Sequence, residues 1–160
     1  MILRYLQFLW LFPATIVVWF FYIVPLLLFS KSVRFQRWNS WSLIVELSIS
    51  PDGTWYSKFW RDWMGWSGPC VFICKRVSST VVYERIKNHE VTHCNQQFRW
   101  GVFFYPAYMI ASLWILLFRR TKHSYYDNPF ERDARKEAGQ RVDIPPSQWG
   151  DGPSDRWIWW

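Results

Sequence analysis

WGVFFYPAYMIASLWILLF, residues 100–118, is a run of nineteen uncharged positions. As one straight helix it would be about 28 Å long, close to the hydrocarbon thickness of a bilayer. Polar stretches flank it on both sides, NHEVTHCNQQ at 88–97 and YYDNPFERDA at 125–134. A straight crossing puts these two stretches on opposite faces of a membrane, whereas a reversal puts them side by side. Pro106 offers the means to reverse, because proline lacks an N–H donor and its ring clashes with the preceding turn. Residues 107–118 beyond it would form a helix of only about 18 Å, too short to span. The expectation is therefore an apolar helical hairpin or sharply bent helix, buried in the domain or dipped into one leaflet. It returns Arg119 and the tail to the side of the histidines, and protein must cover any irregular backbone at that depth.

The upstream stretch holds two of the three histidines, His89 and His93, four positions apart, with Glu90 directly after the first. On a helix, positions four apart lie one turn above each other, so both imidazoles face one side. That arrangement suits two bonds to one tetrahedral zinc ion, with Glu90 placed as general base toward the attacking water. Ser78, Ser79 or Thr80 can cap the helix, and Val81, Val82, Ile86 and Val91 give it an apolar face. The predicted helix covers about 80–104. A zinc site with an open position needs a third protein ligand, and His123, Asp127, Glu131 and Asp133 are the nearest downstream candidates.

HExxH followed by Asn95, Gln96 and Gln97, an aromatic run with YPAY, and then YYDNPFERDA resembles the zincin-like metallopeptidases of the glutamate-ligand type. Within these it is most similar to a group of uncharacterised small bacterial membrane proteins with HExxHxxQ and NPFExEA motifs. The likeness covers roughly residues 80–138. It implies that His89 and His93 bind zinc, that Glu90 is the base and that Glu131 is the third ligand, with Asp133 as the alternative ligand. In better-characterised membrane zincins the ligand glutamate begins an ExxAD pattern, whereas here Arg135 stands at the last position. That departure removes a carboxylate able to orient a ligand histidine, a role for which Asp133 is the substitute.

Upstream, residues 2–29 carry only Arg4 as a charge and are long enough to cross a bilayer. They read as a transmembrane anchor rather than a signal peptide, since no short apolar core ends at a small-residue cleavage site. Pro13 and Pro25 would kink the helix, which membranes tolerate. Lys31, Arg34 and Arg37 follow and place the next residues on the cytoplasmic side. Strands are expected within 41–49 and 69–77, separated by the PDGTW turn, so the class is α+β: an N-terminal transmembrane helix, then a small zincin-like domain with a short sheet. NPFERDARKEAG reads as a proline-started helix with Gly139 near its end. The domains are 1–30, an anchor; 31–143, the membrane-associated domain; and 144–160, a Trp-rich tail.

Composition agrees with a membrane setting. Aromatic residues make up 22% of the chain, with fourteen tryptophans, and such rings favour the boundary between apolar and wet surroundings. The net charge of +7 suits anionic headgroups, and without a continuous basic face or a known motif nucleic acid is not expected as a partner. Cys70, Cys74 and Cys94 lack CxxC spacing and read as buried small hydrophobes.

The function expected is zinc-dependent hydrolysis of a peptide bond at an inner or plasma membrane, with lipid and a peptide or protein substrate as partners. Tyr125, Tyr126 and His123 stand near the proposed ligand as candidate oxyanion donors or supporting residues, against a plain packing role. The competing expectations are a non-catalytic zinc staple, in which His123 or Asp127 supplies a fourth ligand, and a basic membrane adaptor without metal.

Overall fold

The computed structural model of the chain describes residues 2–29, 33–37, 45–49, 65–75, 79–118, 124–140 and 142. Lys31, His123 and the Trp-rich tail lie outside the described residues, and so do the roles expected of them. Helix α1 (Ile2–Val18) continues through a π turn (Trp19–Ile23) into α2 (Val24–Phe29). Strands β1 (Val33–Arg37), β2 (Val45–Ile49), β3 (Gly65–Gly68) and β4 (Val71–Lys75) follow, then α3 (Thr80–Trp100), a 3-10 turn (Gly101–Phe103), α4 (Phe104–Phe118) and α5 (Pro129–Glu137). The class is α+β, as expected.

The four strands form one sheet in the order β1-β2-β4-β3. β1 and β2 are antiparallel, β2 and β4 run parallel, and β3 folds back on β4. Two residues, Pro69 and Cys70, make the β3–β4 turn. Cys70 has φ 61°, a left-handed conformation that costs a residue with a Cβ about 1–2 kcal/mol. The turn is held from above, where the Cys94 thiol of α3 donates to the carbonyls of Gly68 and Val71, each at 3.5 Å.

The core lies between this hairpin, α3 and α1. Leu11, Cys70, Phe72, Cys74, Ile86, Cys94 and Phe98 form one buried cluster, with Val82, Tyr83 and Val91 packed against it. Burying a side chain the size of Leu or Phe contributes about 1.5–3 kcal/mol. All three cysteines are buried and free. The N-terminal helix is thus more than a tether: Leu11, Thr15 and Val18, at spacings of four and three, turn one face inward. Its opposite face leaves Leu9, Phe12, Ile16 and Phe20 exposed.

Helix α3 starts where Ser79 accepts a hydrogen bond from the Val82 N–H at 3.4 Å. It ends at Gly101, whose φ of +59° is open to glycine at little steric cost. Space demands glycine there as well. A Cβ at Gly101 would overlap the Trp10 indole, lying 2.5 Å even from its Cε2.

The expected reversal at Pro106 is corrected here. Pro106 sits in the first turn of a continuous helix α4, where the missing N–H has no intrahelical partner to lose. The helical path breaks earlier, at the 3-10 turn Gly101–Phe103. By Asn128 the chain is back beside Tyr108 and Ser112. Residues 100–118 are therefore a 3-10 turn and one helix of about 22 Å rather than a hairpin. Among the described residues one helical run, Thr80–Phe118, is long and apolar enough to cross a membrane, and Leu9–Phe21 is a shorter apolar helix.

Candidate metal centre

Helix α5 brings Glu131, the third member of the cluster, to the histidines because both its ends are defined. Asn128 accepts from the Phe130 N–H at 3.0 Å and Pro129 opens the first turn. At the other end Gly139 (φ +66°) donates to the Lys136 carbonyl and Gln140 to that of Arg135, at 3.1 Å and 2.8 Å. This pair of bonds is a Schellman closure. Glu131, Ala134, Arg135 and Ala138 then form the buried stripe, which places Glu131 in the first turn facing α3.

The Nε2 atoms of His89 and His93 are 3.1 Å apart. Glu131 Oε2 lies 3.3 Å from His89 Nε2, and Oε1 lies 3.2 Å from His93 Nε2. All three side chains are buried, and one donor atom from each falls within 4.8 Å of the others. Three donors this close can hold a metal ion. Glu131 Oε2 is buried and faces His89 Nε2 at 3.3 Å, so a cation between them would meet a carboxylate oxygen already taken out of water. Glu131 and the two histidines thus lie together, within reach of one ion.

Electrostatics follow from this crowding. Burial alone would raise the Glu131 carboxyl, but the His93 charge and hydrogen bonds from both imidazoles hold it well below the usual carboxylate range. Burial lowers His93, yet the Glu131 carboxylate opposite lifts its imidazole to about 9. The Glu90 carboxyl is raised by burial, against the pull of His89 and His93, and it accepts a hydrogen bond from Ser67. Glu90 leans on β3. A Cβ at Gly65 would fall inside van der Waals contact of Oε1 and 2.8 Å and 2.9 Å from Cγ and Cδ.

Gln96 links the two helices. Its amide donates to the Phe130 carbonyl at 3.0 Å and to Asp133 Oδ2 at 3.1 Å. This turns Gln96 Oε1 toward His93 Nδ1, 2.8 Å away. In the neutral ring Nδ1 then carries the proton and Nε2 presents its lone pair to the centre. Asp133 therefore reaches His93 only through Gln96, and Glu131 rather than Asp133 joins the cluster.

The tyrosines divide. Tyr125 makes a hydrogen bond to Glu131 and its hydroxyl is raised well above the ordinary tyrosine value, first by burial and then by that carboxylate. Tyr126 turns away from the centre to Arg135: the guanidinium lies 3.7 Å from its ring centroid, and Arg135 Nη2 donates to its carbonyl. Arg135, which departs from the motif, is thus a clasp on the 124–127 turn. Sequence reasoning assigned no role to Tyr108, whose hydroxyl donates to Glu131 Oε1 at 2.8 Å. Nor did it give one to Asn128, whose amide donates to the Tyr108 carbonyl and to Ser112 Oγ at 3.1 Å and 2.7 Å. Tyr108 and Ser112, four apart in an apolar run, were a readable polar stripe.

Comparison with protein-family models, with curated proteins and with solved structures found no match to this chain.

Proposed function

We propose that the chain is a membrane-anchored zinc metallopeptidase of the zincin-like kind, hydrolysing a peptide bond with Glu90 as general base. The observation that carries this reading is the convergence of two imidazole nitrogens and a carboxylate oxygen, all buried, with a second carboxylate on the adjoining helical position. Asp127, one residue that could have closed a structural site, stays out of the group; three protein ligands with one open position would suit a catalytic zinc.

His89, His93 and Glu131 would hold the ion. A zinc ion there supplies a water activated near neutral pH and a polarised substrate carbonyl. Glu90, raised by burial, takes the proton from the attacking water and passes it to the leaving amine. Ser67 and the β3 backbone at Gly65 keep its carboxyl in place. Tyr125, beside Glu131, is the candidate donor to the developing oxyanion.

The outward faces of α1, α2 and α4 bear Leu9, Phe12, Phe20, Leu28, Ile110 and Trp114, all exposed. Apolar side chains standing out on three helices need cover, and lipid is the cover that suits them. The basic flank after residue 29 favours a cytoplasmic position for the centre.

The test uses full-length protein in detergent micelles, with zinc quantification beside hydrolysis of a fluorogenic peptide library. Glu90→Gln should keep the zinc and lose at least about 10²-fold in rate, the usual share of a general base. His89→Ala should lose both. Wild type that carries zinc but cleaves nothing, or Glu90→Gln that cleaves as wild type does, would overturn the reading.

A further inference from the structure

Helix α4 is thinly attached to the rest of the molecule for its length. Of its fifteen residues only Phe104 and Ile115 are buried, while Met109, Ile110, Leu113, Trp114, Leu117 and Phe118 stand exposed. Its polar groups nevertheless converge on one short segment of chain. The Tyr108 hydroxyl donates to Glu131 Oε1, the Tyr108 carbonyl accepts from Asn128, and the Tyr108 ring stacks on Phe130 at 6.0 Å and 27°. Ser112, one turn on, takes the second hydrogen of the Asn128 amide. Three of the four residues from 128 to 131 are therefore held by one tyrosine of the apolar helix.

From this geometry we infer that Tyr108 is the positioning residue of the third metal ligand, so that the membrane-facing helix α4 completes the metal centre. The inference rests on the metal-binding reading above and adds to it what fixes the carboxylate. A glutamate side chain has three torsions to freeze before it can act as a ligand, and each costs entropy. The phenol occupies Oε1 and stops the carboxylate from rotating. Oε2, buried and 3.3 Å from His89 Nε2, stays turned toward the place of the ion. Partners of this kind around a ligand are worth 10–100-fold in metal affinity.

The experiment titrates the full-length, metal-stripped protein in detergent micelles with Zn2+ against a chelator of known affinity, and with Co2+ for its visible absorption bands. Tyr108→Phe keeps the ring on Phe130 and the carbonyl on Asn128, and removes only the hydroxyl. It should weaken Zn2+ binding about 10–100-fold and shift the Co2+ bands, with the melting temperature of the metal-free protein little changed. Tyr105→Phe, on the same helix with its hydroxyl 3.4 Å from Gln97 Oε1, should bind both ions as wild type does. Tyr108→Phe with wild-type affinity and spectrum overturns the inference alone, and so does an equal loss in Tyr105→Phe. Wild type that binds neither ion overturns the metal reading and this inference with it.

Discussion

Gly65→Ala probes the contact between the edge strand and Glu90. The new Cβ would lie 2.8 Å from Glu90 Cγ and 2.9 Å from Cδ, where carbon atoms at rest keep about 3.5 Å. Glu90 must therefore retreat by about 0.7 Å at Cγ, and by more at its tip, or β3 must leave its register with β4. Overpacking of this size costs about 1–3 kcal/mol. The decisive assay is a double-mutant cycle read by thermal melting in one detergent. Glu90→Ala removes every atom that the new Cβ strikes, so Gly65→Ala should cost about 1–3 kcal/mol in the wild-type background and nearly nothing in the Glu90→Ala background. Zinc content should stay at the wild-type level in both backgrounds. A Gly65→Ala penalty that is the same with and without the Glu90 side chain would refute the claim that strand and carboxylate are in contact.

Gly101→Ala should cost about 2–5 kcal/mol, from a positive φ and an occupied notch together. Beside Trp10→Ala, melting curves should show only the φ part, about 1–2 kcal/mol. Gln96→Ala removes the group facing His93 Nδ1, and zinc affinity by chelator competition should fall about 10–100-fold. In metal-free protein His93 is lifted to about 9, so below that pH an incoming ion must displace its proton. Apparent zinc affinity should climb about tenfold per pH unit from 7 toward 9 and flatten above. The metal-free protein itself should lose the stability of the His93–Glu131 pair over the same rise, since a raised pKa stabilises below its ordinary value near 6.5 and ceases to as pH passes about 9. Single cysteines at Asn88 and Arg132, both exposed, should react with an impermeant reagent from the same side of a sealed vesicle; opposite sides would contradict the meeting of Glu131 with His89 and His93.

Local rules carried much of the sequence reading. Ser79, Pro129 and Gly139 mark the ends of α3 and α5 through local chemistry that a few residues suffice to specify. The pairing of His89 and His93 followed from helical periodicity alone. Glu131 was reached through its motif, and its arrival at the histidines depends on contacts across thirty-eight positions of sequence that no local pattern contains. β1 was missed because Arg34 and Arg37 read as a membrane flank, although VRFQR alternates as a strand does. β3, GWSG, has two glycines and no β-branched residue, so only its pairing with β4 makes it a strand. Pro106 misled for a related reason: proline breaks a helix in its interior and is welcome in its first turn, and the position of that turn was set by Gly101 and Trp10, ninety-one residues apart.

That indole in its notch means the N-terminal helix is a key cut for one lock. An unrelated apolar segment grafted in place of residues 2–29 would arrive with nothing to fill the gap over Gly101. The joint that aims α4, and with it Tyr108, would then swing free. Such a chimaera should be folded in its sheet and poor at holding metal, which makes residues 2–29 a working part of the candidate metal centre and a poor choice for replacement by an expression tag.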